Sequence, residues 1–325
     1  MTIQQCKDMG WNHVLVSQHL GARVSDTDPI ADHAGWQGKV YCIAGKDTQF
    51  DNLLDATGYP ENPLGLCGYN CRHSFTPFLP GVSQNHNKPI DTEANRRAYE
   101  LSQTQRAMER RIRAQKRKCT ALHTAVKNCE DPAAKAKLQE KYAQSAKRLQ
   151  EQNAAYTKFC TDNDLKPYHE RLAVAGWDRS AASTASAAVR EQKRVDKMIA
   201  DFNAEHVAKD PAELLPKYEY AHGVKEKLLN YSLNMKEGAS GRDKAVVFQA
   251  ALGYNANNYE LLMQEIMAGI GRYKASGKTT TEHGEKFTVR MLVKGANGRY
   301  VPIRTGWIIA PEDRTPRMTT AFVDR

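Results

Sequence analysis

The apolar positions change rhythm twice along the chain. Over residues 1–90 they form short pieces, at 14–16 and 39–43, separated by breakers such as Thr57-Gly58-Tyr59-Pro60 and Leu79-Pro80-Gly81. That pattern predicts a small, loop-rich domain with few strands. From residue 91 the period becomes helical. Leu101, Met108, Ile112, Cys119, Leu122, Val126 and Cys129 recur with heptad-like spacing behind an N-cap at Asp91 or Thr92. Asp131-Pro132 supplies a new cap and a proline at the first helical position, so a second helix starts there and carries Leu138, Tyr142, Leu149, Tyr156 and Phe159. The loop between them is short, which folds the two helices into an antiparallel hairpin. From 161 to 217 the pattern loosens. The Ala/Ser/Thr run at 181–188 reads as a linker or a poor helix, and Lys209-Asp210-Pro211 is a break.

The last third is patterned as a compact α+β domain. Helices are predicted over 242–252, with Ala245, Val246, Phe248, Ala251 and Leu252 inward, and over 257–270, with Leu261, Leu262, Ile266 and Ile270 inward. Strands follow at 286–293, 300–309 and 317–323. A two-residue turn at Asn297-Gly298 would mix apolar and polar side chains on both faces of the first hairpin. A three-residue loop with Gly298 in a left-handed bulge instead gathers Phe287, Val289, Met291 and Val293 with Val301, Ile303, Thr305 and Trp307 on one face. That register sets Arg290 opposite Arg304 on the other face. Like charges opposed across a strand pair destabilise it unless both splay into water or share an anion.

The fold class expected is α+β: a loop-rich N-terminal domain (1–90), a basic antiparallel helical hairpin with linker (91–205), and helices packed on a small antiparallel sheet (206–325). Charge reinforces the division. The three stretches 1–90, 91–200 and 201–325 carry net charges of −2, +9 and +3 out of a total of +10. A concentrated basic excess is either a solvated helical face or a footprint for nucleic acid. Mean hydropathy is −0.66, and no apolar run reaches the ~18 residues of a membrane span, so no membrane partner is expected. The N-terminus has neither a basic n-region nor an apolar h-region, and seven cysteines without a secretory signal indicate reduced thiols.

The segments SQHLGAR (17–23), HAGWQGKVY (33–41), DATGYP (55–60) and GLCGYNCRHSFTPFLPG (65–81), followed by the basic hairpin, resemble the phage minor capsid protein 2 family, related to MuF-type head morphogenesis proteins. The resemblance covers about residues 5–190. It implies capsid or portal partners, contact with packaged DNA, and a place in the virion. KLLNYSLN (227–234), GRDKAVVFQAALGYN (241–255), EKFTVRMLVKGANGRYVPIRTGWII (285–309) and PRMTTAFV (316–323) resemble C-terminal domains of polymorphic toxins, of the barnase/EndoU/colicin/RelE-like ribonuclease type. That resemblance implies RNA as substrate in the host cytoplasm and an immunity protein as partner.

No P-loop, Gly-x-Ser-x-Gly or His-Glu-x-x-His motif is present, which leaves metal-independent RNA cleavage as the enzymatic option. Such cleavage needs a base, an acid and cations at the phosphate. His283 is the candidate acid/base. Arg304, Thr305 and Thr320 complete the catalytic set, and Lys244, Lys286, Arg290 and Arg317 are candidates to hold phosphate. The alternative is a purely structural capsid protein whose C-terminal domain only binds. A nuclease would need the Arg290/Arg304 face open with His283 in reach, whereas a binding module would cover it. No cofactor or metal is expected. Cys67, Cys71, His73 and His33 carry the residue types of a zinc set, but Cys-x3-Cys-x-His is not a standard spacing, and the reading adopted is a buried structural cluster.

Overall fold

Thr2 opens the first element with a capping box: its hydroxyl accepts from Gln5 N–H, and the Gln5 side chain accepts from Thr2 N–H. The computed structural model describes residues 2–45 and 47–324. After α1 (Ile3–Asp8) come β1 (His13–Val16), α2 (His33–Trp36), β2 (Val40–Cys42), α3 (Leu53–Thr57) and β3 (Phe75–Pro77). The three short strands form an antiparallel sheet in the order β2-β1-β3. Its core gathers Cys6, Val14, Val16, Trp36, Tyr41, Leu53 and Leu66. Most of the remaining backbone in this region is loop, as the breakers predict.

The hairpin is built from α4 (Thr92–Asn128) and α5 (Pro132–Asp162). Its narrow apolar stripe buries Ile112, Cys119, Tyr142, Leu149 and Tyr156. Amides fill the gaps in that stripe. Gln115 Nε2 donates to the Ser145 carbonyl at 2.8 Å and to its hydroxyl at 2.7 Å, and Gln105 Nε2 donates to the Lys166 carbonyl at 2.8 Å. The chain divides into two units, Met1–Ile112 with Gln152–Leu172, and Arg113–Glu151 with Ala173–Arg325.

An alternative left open by the sequence, linker or poor helix, is decided in the middle of the chain. The run 181–188 is helix, part of α6 (Arg179–His206), which is capped by Asp178 accepting from Ala181 N–H at 2.8 Å. Ala185 and Val189 are buried, and Ile199 and Phe202 pack on the core of the second unit. Burial of that stripe offsets the modest propensity of the Ser and Thr residues.

The remaining elements are α7 (Val224–Lys227), which runs into a π-turn, α8 (Arg242–Leu252), α9 (Tyr259–Ile270), β4 (Ala275–Thr281), β5 (Gly284–Lys294), β6 (Tyr300–Ile309) and β7 (Pro316–Val323). The sheet is antiparallel in chain order. Strand β4 adds a fourth member to the three predicted. Val246 and Leu261, expected inward, are 47% and 49% exposed, because the sheet takes only one stripe from each helix. Gly269 lets α9 approach β5: a Cβ there would collide with Met291 Sδ.

The β5–β6 register is the one that hydrophobic alternation demands. Phe287 pairs with Trp307, Arg290 with Arg304, and Val293 with Val301. Gly295 N–H donates to the Arg299 carbonyl at 2.7 Å, closing a three-residue loop, and Gly298 sits at φ +79°. A side chain at Gly298 would be strained by that φ and would meet Ala136 Cβ at 2.5 Å.

Candidate functional site

Alternation along β7 puts Phe322 opposite Arg304, and two residues further Asp324 reaches the same face. Its carboxylate, 9% exposed, accepts from Arg290 Nε through one oxygen and lies 3.1 Å from Arg304 Nη2 through the other. The anion that the opposed arginines share is therefore a side chain of this protein. The C-terminal end of α6 covers Arg290 from the other side. Arg290 Nη1 donates to His206 Nε2 at 3.0 Å, and its guanidinium lies 5.6 Å from the Phe202 ring. His206 Nδ1–H donates to the Phe202 carbonyl at 3.1 Å, which leaves Nε2 as the acceptor. The last strand predicted from the sequence ends at Val323, and the predicted boundary falls near 205, so Asp324, His206 and Phe202 are missed. Extending the period-2 pattern by one step finds Asp324.

Thr305 and His283 do not join this pair. Thr305 faces the core: its hydroxyl donates to the Val289 carbonyl at 3.2 Å and accepts from Trp307 Nε1 at 2.9 Å. The expectation that Thr305 donates to a phosphate is corrected, since its hydroxyl lies on the opposite face of β6 from Arg304 and is fully used. His283 occupies the β4–β5 turn, with its side chain 75% exposed beside Glu282. Seven residues of strand separate it from Arg290, roughly 23 Å at ~3.3 Å per residue, so it is not within reach. Lys286 and Arg317 are exposed and flank Ile308 from the two neighbouring strands, four residues along β5 from Arg290. Lys244 Nζ donates to Thr320 Oγ1 at 2.9 Å and sits 4.5 Å from the Tyr231 ring centre. The structure thus brings Lys244 to Thr320 and within 5.4 Å of the ring of Phe322, the residue opposite Arg304, while Arg290 and Arg304 meet at Asp324.

A second cluster lies in the first unit, where the loop before β3 meets α2. His33, Cys71 and His73 each place a ligand atom within 4.8 Å of the others. His33 Nε2 is 2.8 Å from the Leu64 carbonyl, and His73 Nε2 is 3.1 Å from Gln37 Oε1. His73 Nδ1 is 3.5 Å from Cys71 Sγ. The His19 ring stacks on His73 with centres 4.4 Å apart. Burial, with His19, His33 and Arg72 nearby, pushes the His73 pKa down to about 3, and burial lowers that of His33. Both imidazoles are therefore neutral at physiological pH. Cys67, considered alongside them in the sequence, is exposed and directs its thiol to the His73 carbonyl at 3.9 Å. Beside the cluster lies a cavity of about 110 Å³ lined by His19, Arg23, His33, Arg72 and His73 among others.

Residues 1–160 match the family Phage minor capsid protein 2. The match takes in the segments around β1 to β3, the His/Cys cluster and nearly all of the hairpin. A "Structural protein" of Lactococcus phage mv4 is 38% identical over 56 residues, 17% of this chain and 46% of that relative. The chain thus spans about half the length of this phage relative. Residues 214–325 match a second family, Domain of unknown function (DUF6883). Among solved structures, a chain of the contact-dependent growth inhibition toxin–immunity protein complex from Klebsiella pneumoniae 342 is 13% identical, covering 33% of this chain and 93% of that one, with a TM-score of 0.26. Among the described residues no helix is long and apolar enough to cross a membrane.

Proposed function

We propose that this protein is a structural component of a phage head, located in the virion and in contact with capsid or portal proteins, and that its C-terminal domain is a non-catalytic module. The match of residues 1–160 to a minor capsid family supports the first part. The observation that carries the second is the Asp324 carboxylate between Arg290 and Arg304. A scissile phosphate would have to displace a tethered anion from the site where the cations are concentrated. A ribonuclease also needs an acid/base beside the phosphate, and His283 stands at the far end of β5. In this reading no immunity partner is required.

The basic hairpin supplies the contact to packaged DNA. Arg117, Lys118, Lys127, Lys141, Lys147 and Arg148 are all exposed on the part of α4 and α5 that belongs to the second unit. Phosphate neutralisation by such side chains is independent of sequence and weakens steeply with salt. The test is induced expression of the full chain in bacteria, with growth followed and total RNA examined. Normal growth with intact RNA is expected. Growth arrest with discrete RNA fragments would overturn the proposal and establish the ribonuclease reading, with RNA rather than DNA as the nucleic-acid partner.

A further inference from the structure

We propose that the first unit carries a transition-metal site, suited to Zn2+, with His33, Cys71 and His73 as its protein ligands. The sequence spacing argued against zinc because Cys-x3-Cys-x-His, from Cys67 to His73, is not a standard ligand spacing. The fold brings His33, at the start of α2, to Cys71 and His73, with the three ligand atoms within 4.8 Å of one another, and leaves Cys67 outside the group. A two-nitrogen, one-sulfur donor set selects Zn2+ over the oxygen-seeking Mg2+ and Ca2+.

The hydrogen bonds around the cluster set the tautomers a metal requires. His33 Nε2 faces the Leu64 carbonyl and His73 Nε2 faces Gln37 Oε1. That Gln37 oxygen also accepts from His19 N–H at 2.9 Å, which identifies it as the acceptor end of the amide. Both histidines therefore donate outward through Nε2 and keep an unprotonated Nδ1, in the manner of ligating histidines whose outer N–H is anchored on oxygen. Metal binding releases the Cys71 thiol proton to solvent, and the resulting thiolate cancels one of the two metal charges.

A further polar atom points to what completes the site. His19 Nδ1 is 3.1 Å from the Leu20 carbonyl, so its Nε2 is an acceptor. Among the described residues that Nε2 is buried and has no hydrogen-bond partner, an arrangement with a cost in a folded protein. The cavity that His19, His33 and His73 line together leaves room for a fourth, exchangeable ligand. A metal-bound water there would donate to His19 Nε2. The site would fasten the loop carrying Cys71 and His73 to α2, a role in holding the small first sheet together.

The experiment uses the full-length chain, purified, stripped with chelator and titrated with Co2+, alongside Cys71→Ser and Cys67→Ser. The wild type is expected to take up a single Co2+ per chain with a thiolate-to-metal charge-transfer band and the intense visible bands of tetrahedral cobalt, both lost on adding Zn2+. Cys67→Ser should keep these bands, while Cys71→Ser should lose the charge-transfer band and weaken Zn2+ binding by roughly 100-fold or more. Wild-type protein with a native circular-dichroism spectrum that develops no thiolate band overturns the proposal, whatever the variants do. So does a band that survives Cys71→Ser or disappears in Cys67→Ser.

Discussion

Arg290 and Arg304 face each other across β5 and β6 and divide one carboxylate, that of Asp324, between its two oxygens. Two like charges that would repel become a three-membered charge cluster because the chain runs one residue past the end of β7, where Asp324 N–H donates to the Pro302 carbonyl at 2.9 Å and the Asp324 side chain returns to the charged face. Arg290 gains a second partner in His206. Removing the shared anion should therefore harm the domain more than removing the outer cation. Asp324→Asn is expected to destabilise the second unit by about 1–3 kcal/mol, and Arg304→Ala, at 45% side-chain exposure, by less than ~1 kcal/mol. Urea titrations of both variants and of the double mutant give the coupling. A coupling of zero between the two substitutions would mean that Asp324 serves Arg290 alone.

Thr305 offers a sharper separation of packing from chemistry. Its hydroxyl is the acceptor for Trp307 Nε1, so Thr305→Val leaves a buried indole N–H unpaired. A loss of about 1–3 kcal/mol is expected, read by denaturation followed through tryptophan fluorescence. A variant as stable as wild type would show that the indole finds another acceptor.

The β5–β6 loop rests on a conformation that only glycine takes without strain. Gly298→Ala meets both the positive φ and Ala136. It should lower stability by about 1–3 kcal/mol, seen as a depressed thermal midpoint. An unchanged midpoint would mean that the loop and α5 yield together.

Inside the hairpin, Gln115→Ala removes the donor to the Ser145 carbonyl and hydroxyl and should cost about 1–2 kcal/mol. Adding Ser145→Ala to that variant should cost little more, because the two side chains act as one unit. Additive losses would separate them.

If the hairpin meets DNA, the triple variant Arg117→Glu, Lys118→Glu and Arg148→Glu should weaken non-specific duplex binding. It should also flatten the dependence of log K on log salt by roughly 0.9 for each phosphate that is no longer neutralised. Fluorescence anisotropy at several salt concentrations measures both. An unaltered slope would return the basic face to simple solvation.

The sequence carried the elements whose burial pattern repeats. The helix boundaries at Asp131-Pro132 and at Arg242–Leu252, and the register that opposes Arg290 to Arg304, all follow from period and turn chemistry. Strand β4 escaped because Ala275–Thr281 is mostly exposed and carries no apolar alternation. It is a strand because β5 offers it a ladder. Helix α6 stayed undecided between linker and helix because a run of Ala, Ser and Thr has little period of its own, and its helical state depends on what Ala185, Val189, Ile199 and Phe202 bury against.

By itself, then, the sequence determined which segments are helix or strand where the hydrophobic period is strong, where the positive charge lies, and which face of the C-terminal hairpin is buried. These are local properties, set by backbone geometry and by side chains a few residues apart. Only the tertiary structure decided that His206 and Phe202 cover Arg290, that Lys244 reaches Thr320, and that His33 joins Cys71 and His73. Each of these depends on where distant segments come to rest, which is set by the packing of whole elements and leaves no mark in the spacing of the residues themselves.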